Sequence, residues 1–234
     1  MSDDLKKRAA LAAMDEVPEG AVLGIGTGST AEAFIRVLAE RVADGFLMSG
    51  IATSQRTQDL CEELSIPMTT LGEHPVLDVT VDGADEIGPD LTLIKGGGGA
   101  LLREKIVASA SRRMIVIADA SKKVGELGAF PLPIEVNAFG IEPTRLAVTK
   151  VCRKHGMIGE VTLRIGDGDA DNGPVVSDGG HYTLDAQFGR IAEPETLARD
   201  LLAVPGVVEH GLFVGLATLA LIAGPGGVER IERS

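Results

Sequence analysis

The sequence contains few aromatic residues and carries little positive charge. Aromatic residues make up 3% of its 234 residues and tryptophan is absent, so stacking on bases or sugar rings is not expected to dominate recognition. The formal net charge of −12 disfavours nucleic acid and anionic membranes as partners, because both require a basic face. A small phosphate can still bind to an acidic protein through a few local donors.

Cysteines and long apolar runs are also scarce. Cys61 and Cys152 are the only cysteines and form no CxxC motif, which predicts two buried thiols in a reducing cytoplasm. The apolar runs contain glycine or stay under ~18 residues, and the first residues lack the apolar core of a signal peptide, so no membrane association is expected. No metal site is predicted, because none of the four histidines has metal-ligand spacing: His74, His155, His181 and His210.

Short apolar runs alternate with helical patterns in the first part of the chain. Strands are expected at 21–25, 47–53, 76–81, 91–94 and 114–118, and helices at 3–16, 30–41, 55–64 and 100–111. Repeated strand–loop–helix units predict an α/β fold, with a Rossmann-like domain built on a mostly parallel sheet.

The pattern changes after the proline-rich segment 130–135, FPLPIE. A smaller α+β domain of ferredoxin-like type is predicted there from helices at 143–154 and 194–203, a strand at 159–165, and a hairpin around 178–180. The apolar runs 207–213 and 217–222 are expected to return to the main sheet. The predicted domains are therefore 1–130 plus 206–234, and 131–205.

Four polar motifs each follow the C-terminal end of an expected strand. They occupy residues 24–30, 82–85, 95–99 and 119–122. Ligands of open α/β sheets bind at that edge, so we expect the four motifs to share one site.

The first of these motifs, GIGTGST at 24–30, is rich in glycine and opens a helix. Its glycines allow backbone N–H groups to face an anion, and the helix N-terminus adds partial positive charge. It lacks the third glycine of the dinucleotide fingerprint and the GK[ST] of a P-loop. Two interpretations stay open, namely phosphate or carboxylate binding and a tight turn with a helix cap.

Other polar segments have plain structural interpretations. The hydroxyl cluster TSQRT at 53–57 is best explained as a helix N-cap, with ligand contact second. The segment 119–122, DASK, is either a helix cap with a surface lysine or a hydroxyl and a cation at the site. Lys6 and Lys7 on the first helix are solvated by default.

The segment 82–86, DGADE, places three acids where a strand meets a loop. An Asx-turn around Gly83 in a solvated acidic loop is one interpretation. A divalent metal is disfavoured, because no further ligand has useful spacing. Acid–base chemistry or binding of hydroxyl groups is the remaining interpretation.

Four consecutive glycines at 96–99 follow Lys95. Each glycine in ordered structure costs roughly 0.5–1 kcal/mol relative to alanine, so the run predicts a close approach to the backbone or several N–H groups facing one ligand. Together with Lys95 they would stabilise an oxyanion. Glu104 follows on the next helix. It would either pair with a basic neighbour on the surface or, ionised near the helix start, abstract a proton α to a carbonyl.

In this order and spacing, the segments resemble the ribose-5-phosphate isomerases of type A. The resemblance covers essentially the whole chain and is carried by GIGTGST, TSQRT, DGADEI, KGGGGALLREK, ADASK, FPLPIEV, VVSDGG, VPGVV and HGLF. It implies reversible conversion of D-ribose 5-phosphate to D-ribulose 5-phosphate in the pentose phosphate pathway, through a cis-enediol(ate) and without metal or organic cofactor. It also implies a cytoplasmic homodimer or homotetramer, with the smaller domain at the subunit interface.

The resemblance also implies roles for individual residues. Glu104 would be the base that moves a proton between C1 and C2. Asp82, Asp85 and Lys95 would hold the sugar oxygens, help to open the furanose ring and steady the enediolate. The substrate-binding residues would be Thr27, Gly28, Ser29, Thr30, Gly83, Ala84, Gly96, Gly97, Gly98, Lys122 and Lys6, with the two lysines near the phosphate.

A few positions differ from the common pattern of that family, and a non-catalytic sensor or one of two other enzymes is also compatible with this architecture. Gly99, Leu102 and His210 stand where Ala, Thr and Asn are frequent, and the loop 167–172 is unusually acidic, but no residue with a proposed chemical role is lost. A non-catalytic sugar-phosphate sensor would predict a DNA-binding segment. An acyl-CoA transferase would form a glutamyl thioester that hydroxylamine traps, and an amino-sugar phosphate isomerase would deaminate glucosamine 6-phosphate.

Overall fold

The computed structural model describes residues 3–166 and 173–233. Within these ranges the helices are α1 (Asp3–Met14), α2 (Ser29–Ala43), α3 (Gln55–Glu63), α4 (Leu101–Ser109), α5 (Ile141–Lys154) and α6 (Pro194–Leu202). The strands are β1 (Ala21–Ile25), β2 (Met48–Ala52), β3 (Val79–Asp82), β4 (Glu86–Ile87), β5 (Leu93–Ile94), β6 (Met114–Asp119), β7 (Leu132–Val136), β8 (Glu160–Leu163), β9 (Tyr182–Gln187), β10 (Val207–His210), β11 (Leu212–Phe213), β12 (Leu219–Gly224) and β13 (Gly227–Glu232). A short 3-10 helix, Ala120–Lys122, follows β6. The acidic loop 167–172 lies outside the described residues.

The chain forms two compact units. The first contains the described residues within Met1–Ala84, Arg103–Lys123 and Gly215–Ser234, and the second those within Asp85–Leu102 and Val124–Val214. These bounds differ from those of the predicted domains, because residues 85–102 and 206–214 group with the second unit. The predicted division into domains stays a prediction.

The first unit is built on a six-stranded sheet with the strand order β13-β12-β6-β3-β1-β2. Neighbouring strands are parallel except for β12 and β13. Numbered as they follow one another in the chain, the five parallel strands lie in the order 2-1-3-4-5, which is a doubly wound arrangement. The direction of strand succession reverses between β1 and β3, and the crevice at such a reversal is where open α/β sheets bind their ligands.

The sequence pattern explains why this sheet is covered on both faces. The central strand β6, MIVIAD, is buried along its whole length, as expected for a parallel strand with helices on both sides. On α2, the predicted helical spacing is confirmed, because Phe34, Ile35 and Leu38 are all buried in the core that contains Leu23 of β1.

The second unit contains a four-stranded antiparallel sheet with the order β10-β7-β9-β8. Its elements follow one another as β7, α5, β8, β9, α6 and β10, which is a ferredoxin-like succession. The sequence predicts a smaller unit of this type but neither the strand β7 nor the place of β10 in it. A separate three-stranded antiparallel sheet, β11-β5-β4, belongs to the same unit. The predicted hairpin around 178–180 is present only as a single bridge between Val176 and Tyr182.

Two expectations about the main sheet are wrong. The run 91–94 does not add a strand to the parallel sheet, because β5 pairs antiparallel with β4 and β11. The run 207–213 does not return to that sheet either. It divides into β10 and β11 at Gly211, where an added Cβ would lie 2.2 Å from the carbonyl oxygen of Lys95. This glycine allows the two backbones to approach closely, and only β12 and β13 return to the main sheet.

No helix within the described ranges is long and apolar enough to cross a lipid bilayer.

Candidate active site

The loops that follow β1 and β3 are joined by the carboxylate of Asp82. Asp82 is the last residue of β3 and is fully buried. Its Oδ1 accepts hydrogen bonds from the backbone N–H of Thr27 at 3.2 Å and of Gly83 at 2.7 Å. A Cβ added to Gly26 would lie 2.1 Å from the same oxygen, so this position requires glycine. The structure therefore brings two of the predicted motifs together at the reversal point of the sheet.

The side chain of Thr27 is held by hydroxyl groups from the N-terminus of α3. Its Oγ1 lies 2.8 Å from the hydroxyl oxygens of Thr53 and Ser54 and 3.1 Å from that of Thr57. The predicted N-cap is confirmed, because Ser54 Oγ accepts a hydrogen bond from the backbone N–H of Thr57 at 3.1 Å. The TSQRT segment thus shapes the GIGTGST loop, which the sequence pattern did not reveal.

The N-terminus of α2 opens onto a cavity of ≈ 400 Å³ in the first unit. Gly28 precedes the helix with φ 103°, a conformation that favours glycine, and makes no side-chain cap. The cavity is lined by Ser29, by the basic side chains of Lys6, Lys7 and Arg36, and by the acidic side chains of Asp3, Glu32 and Glu40. The sequence analysis predicts Lys7 to be a solvated surface residue and assigns no role to Arg36. Because Arg36 follows Ser29 by seven residues on one helix, helical spacing would have placed the two on one face.

The cap that is one of the two interpretations of the segment 119–122 is present at the end of β6. Asp119 accepts a hydrogen bond from the backbone N–H of Ser121 at 2.8 Å at the start of the 3-10 helix that contains Lys122. Burial acts to raise the pKa of Asp119. Hydrogen bonds from Ser121 and the charge of Lys122 outweigh it and leave the pKa below its usual value.

In the second unit, Lys95 is a buried cation next to an aromatic ring. Its side chain is only 2% exposed, and Nζ lies 5.5 Å from the centre of the Phe213 ring, within the range of a cation–π contact. Its backbone N–H donates to the carbonyl of Gly211 at 2.9 Å. The cation is therefore held at a defined position directly before the glycine run.

The glycine run has a structural reason at three of its positions. Gly96 and Gly99 have φ values of 106° and 78°, which favour glycine. Gly97 donates its backbone N–H to Asp85 Oδ2 at 2.8 Å, and a Cβ there would lie 2.8 Å from Asp85 Oδ1. The expected close approach to this backbone is thus made by the carboxylate of Asp85.

Glu104 lies in the first turn of α4 and is 4% exposed. Its burial does not fit the alternative of a surface carboxylate. Among the described residues, no group of three or more His, Cys, Asp or Glu side chains is arranged to hold a metal ion.

The sequence profile of the family described as ribose 5-phosphate isomerase A (phosphoriboisomerase A) matches residues 49–227, more than half of the chain. The chain belongs to this family. A ribose-5-phosphate isomerase A of Sinorhizobium fredii is 60% identical over 227 residues, which cover 97% of this chain and 96% of that protein. The ribose-5-phosphate isomerase A of Agrobacterium fabrum is 58% identical over 228 residues, covering 97% of both chains.

Solved structures of this family have the same fold. The ribose 5-phosphate isomerase A of Methanocaldococcus jannaschii has a TM-score of 0.91 at 36% identity, and the match covers 99% of this chain and 100% of that one. A D-ribose-5-phosphate isomerase in complex with phospho-erythronic acid has a TM-score of 0.90 at 35% identity, with 100% of both chains covered.

The residues that the isomerase resemblance implies are distributed over both units. Asp82, Glu104, Gly83, Ala84, Thr27–Thr30, Lys6 and Lys122 belong to the first unit, and Asp85, Lys95 and Gly96–Gly98 to the second. Within the first unit the structure joins Asp82 to Thr27 and Gly83, and places Lys6 and Ser29 at one cavity. Within the second it joins Asp85 to Gly97.

Sequence reasoning missed Arg164, which donates to two carbonyl groups of the glycine run. Arg164 lies 67 residues from Gly97 in the sequence, and no local motif indicates the contact.

Proposed function

We propose that this chain interconverts D-ribose 5-phosphate and D-ribulose 5-phosphate, with Glu104 as the base. The observation that supports this most directly is the buried carboxylate of Asp82, which accepts a hydrogen bond from the GIGTGST loop at the end of β3. This contact lies at the reversal point of the sheet, where a ligand is expected to bind. The chain is also a member of the ribose 5-phosphate isomerase A family. One structural neighbour binds phospho-erythronic acid, a phosphorylated compound, which agrees with a sugar phosphate as substrate.

The proposed reaction is a proton transfer between adjacent carbons of the open-chain sugar. Glu104 removes the proton from C2 of the aldose, a double bond forms between C1 and C2, and the carbonyl oxygen at C1 is protonated. The hydroxyl at C2 then loses its proton as the new carbonyl forms, and Glu104 returns a proton to C1. A base within hydrogen-bond reach of both carbons moves the proton between them, and the proton that the C1 oxygen gains balances the one that the C2 hydroxyl loses.

Asp82, Asp85 and Lys95 take the role of holding the sugar oxygens, assisting ring opening and stabilising the enediolate. A buried cation is well suited to this, because an electrostatic interaction is much stronger where water is excluded. Lys95, 2% exposed, has that property. In this proposal Gly83, Ala84 and the backbone of Gly96–Gly98 complete the contacts with the sugar.

The phosphate is proposed to bind at the N-terminus of α2. Thr27–Thr30 supply the loop, and the helix dipole and free N–H groups of a first turn favour an anion there. Lys6, Lys7 and Arg36 line the ≈ 400 Å³ cavity beside the carboxylates of Asp3, Glu32 and Glu40, and they supply the cationic groups that this placement requires. Lys122 is assigned to the phosphate as well, and no metal or organic cofactor takes part in the proposal.

We further propose a cytoplasmic homodimer or homotetramer. Burial raises the pKa of the Cys61 and Cys152 thiols to about 12, which fits reduced structural cysteines in a reducing compartment. In the second unit, Phe139 and Ile158 are each 91% exposed, and a subunit interface that covered them would remove their apolar surface from water. Light scattering coupled to size-exclusion chromatography measures the assembly, and a monomer at micromolar concentration would contradict it.

The central experiment is a coupled assay for ribulose 5-phosphate, with ribose 5-phosphate as substrate, in the presence and absence of EDTA. The expected result is turnover that EDTA does not reduce. Glucosamine 6-phosphate and acyl-CoA serve as comparison substrates for the two alternative enzyme classes. A purified, folded chain that forms no ribulose 5-phosphate would refute the proposed function.

A further inference from the structure

Arg164 makes an unusual set of contacts in the second unit. It directly follows β8, and its side chain is 15% exposed. Nε donates to Asp185 Oδ2 at 2.8 Å and Nη2 donates to Asp185 Oδ1, so the guanidinium and the carboxylate form a two-pronged ion pair. Nη1 donates to the carbonyl oxygens of Gly96 at 2.8 Å and Gly97 at 3.2 Å. One side chain thus connects the four-stranded sheet to the glycine run.

The contact with Gly96 reaches Asp85 through a single peptide group. The carbonyl of Gly96 and the N–H of Gly97 belong to the same planar unit and point in opposite directions. The carbonyl accepts from Arg164 at 2.8 Å, and the N–H donates to Asp85 Oδ2, also at 2.8 Å. The peptide is therefore held from both sides. A charged partner at each end also strengthens both hydrogen bonds by polarising the peptide.

We propose that Arg164 is a positioning residue for the isomerase reaction, which acts through the Gly96–Gly97 peptide to hold the carboxylate of Asp85. This inference rests on the proposed function, in which Asp85 binds sugar oxygens. The inference gives Arg164, together with its partner Asp185, a positioning role in the reaction.

The glycine run needs such an anchor. Gly96 has a φ of 106°, and a chain of glycines has many accessible backbone conformations. If the Gly96–Gly97 peptide rotated, its carbonyl oxygen would face the negative carboxylate of Asp85 instead of its N–H. The guanidinium prevents this rotation by holding the carbonyl on the opposite side.

The geometry of arginine suits this function. The guanidinium is planar and presents several N–H donors in fixed directions, so it can bind a carboxylate and two carbonyls at once. Asp185 balances its charge, so the pair adds no net charge beside the glycine run. The effect on the reaction is therefore one of position, and a misplacement of about 1 Å can lower a rate roughly 100-fold.

The test is a double-mutant cycle on kcat/KM with ribose 5-phosphate, using Arg164→Ala, Asp85→Ala and the double variant of the full chain. Arg164→Ala is expected to lower kcat/KM roughly 10–100-fold in the wild-type background. In the Asp85→Ala background the same change is expected to cost less than about 3-fold, because the group that Arg164 positions is already gone. Thermal unfolding is measured for every variant, since a structural contribution of Arg164 would lower Tm in both backgrounds alike.

Arg190→Ala is the matched control. Arg190 belongs to the same unit, forms an ion pair with Glu126 and has a side chain 70% exposed, so its removal is expected to change kcat/KM less than about 2-fold. If Arg164→Ala does not fold, the cycle uses Arg164→Lys. This variant keeps the charge but lacks the planar fork, and a loss of at least about 5-fold is expected.

Three results would overturn the inference. They are a kcat/KM of wild-type size in the Arg164 variant, a loss that is fully additive with that of Asp85→Ala, and an equal loss in Arg190→Ala. Its failure is distinct from failure of the proposed function. If only this inference fails, the wild-type chain converts ribose 5-phosphate and the cycle shows no coupling. If the proposed function fails, the wild-type chain is inactive.

Discussion

The carboxylate of Asp82 occupies the space in which a side chain at position 26 would have to lie. An added Cβ at Gly26 would be 2.1 Å from Asp82 Oδ1 and 2.6 Å from Asp82 Cα. The loop after β1 and the end of β3 are therefore in contact only because residue 26 has no side chain. Asp82 is fully buried, so it cannot move aside into solvent.

We expect Gly26→Ala to destabilise the fold by about 1–3 kcal/mol, as overpacking of a well-packed interior does, and to lower kcat/KM. Gly226→Ala is the matched control in the same unit, because an added Cβ there meets no atom within 4 Å and its φ is not in the left-handed region. Denaturant unfolding and steady-state kinetics measure both variants. Equal stability of the two would contradict the close approach.

Glu104→Gln is expected to lower kcat by roughly 10²–10⁴-fold, because the amide keeps the shape of the side chain but cannot accept a proton. Glu104 is buried, so Tm and the kinetics are measured together to separate chemistry from stability. Glu63→Gln, at an exposed position on α3, is the control and should retain wild-type kcat. Near-normal turnover of the Glu104 variant would show that another group is the base.

Removal of the Lys95 cation is expected to weaken oxyanion stabilisation by about 3–4 kcal/mol, seen as a loss in kcat/KM. Lys95→Ala tests this directly, and Lys95→Met keeps an apolar side chain of similar length and so limits the loss of packing. Lys150→Met, on the exposed face of α5, is the control. An unchanged kcat/KM in both Lys95 variants would exclude the proposed role.

Glu16 is expected to make the free energy of unfolding depend on pH. Its carboxylate accepts hydrogen bonds from Arg230 and, at 2.9 Å, from Arg113, and these hold its pKa below the usual value of 4.5. A lowered pKa in the folded state stabilises the fold above pH 4.5, and this contribution is lost as the pH falls through the folded-state pKa. The group is partly exposed to solvent, so the contribution is at most about 1 kcal/mol.

The comparison of Glu16→Gln with wild type checks this dependence. The variant should be less stable at pH 7, and the difference should shrink as the pH falls below 4.5, with Glu19→Gln on the same loop as control. Added salt should reduce the difference at neutral pH, since exposed charges are screened. A difference in stability that stays constant between pH 7 and pH 3 would rule out the ion pairs as its cause.

Many local features of this chain could be predicted because they depend on neighbours in the sequence. The spacing of apolar residues on α2 indicates which face of the helix is buried, and the unbroken apolar sequence of β6 indicates a strand that is buried on both faces. The caps at Ser54 and Asp119 involve residues two or three positions apart, so residue type alone indicates them. The helical patterns at 143–154 and 194–203 were likewise enough to indicate a smaller α+β unit after residue 130.

The strand pairing of short segments could not be predicted in the same way. β5 and β11 are two residues each, and an apolar pair fits a parallel or an antiparallel partner equally well. Their placement in a separate sheet depends on the pairing of Leu212 with Ile94, across more than a hundred residues. The contacts of Arg164 could not be predicted either, because its partners lie on distant segments.

The sequence by itself determined the two classes of architecture, the loops at the strand ends and the family resemblance, because periodicity, glycine placement and charge act over a few residues. Only the tertiary structure decided that Asp85 meets Gly97, that Thr27 is anchored by the TSQRT hydroxyls, and that Arg164 holds the glycine run. Such contacts depend on how whole elements pack, and packing selects partners by shape and hydrogen bonding among segments that the local pattern cannot relate to one another.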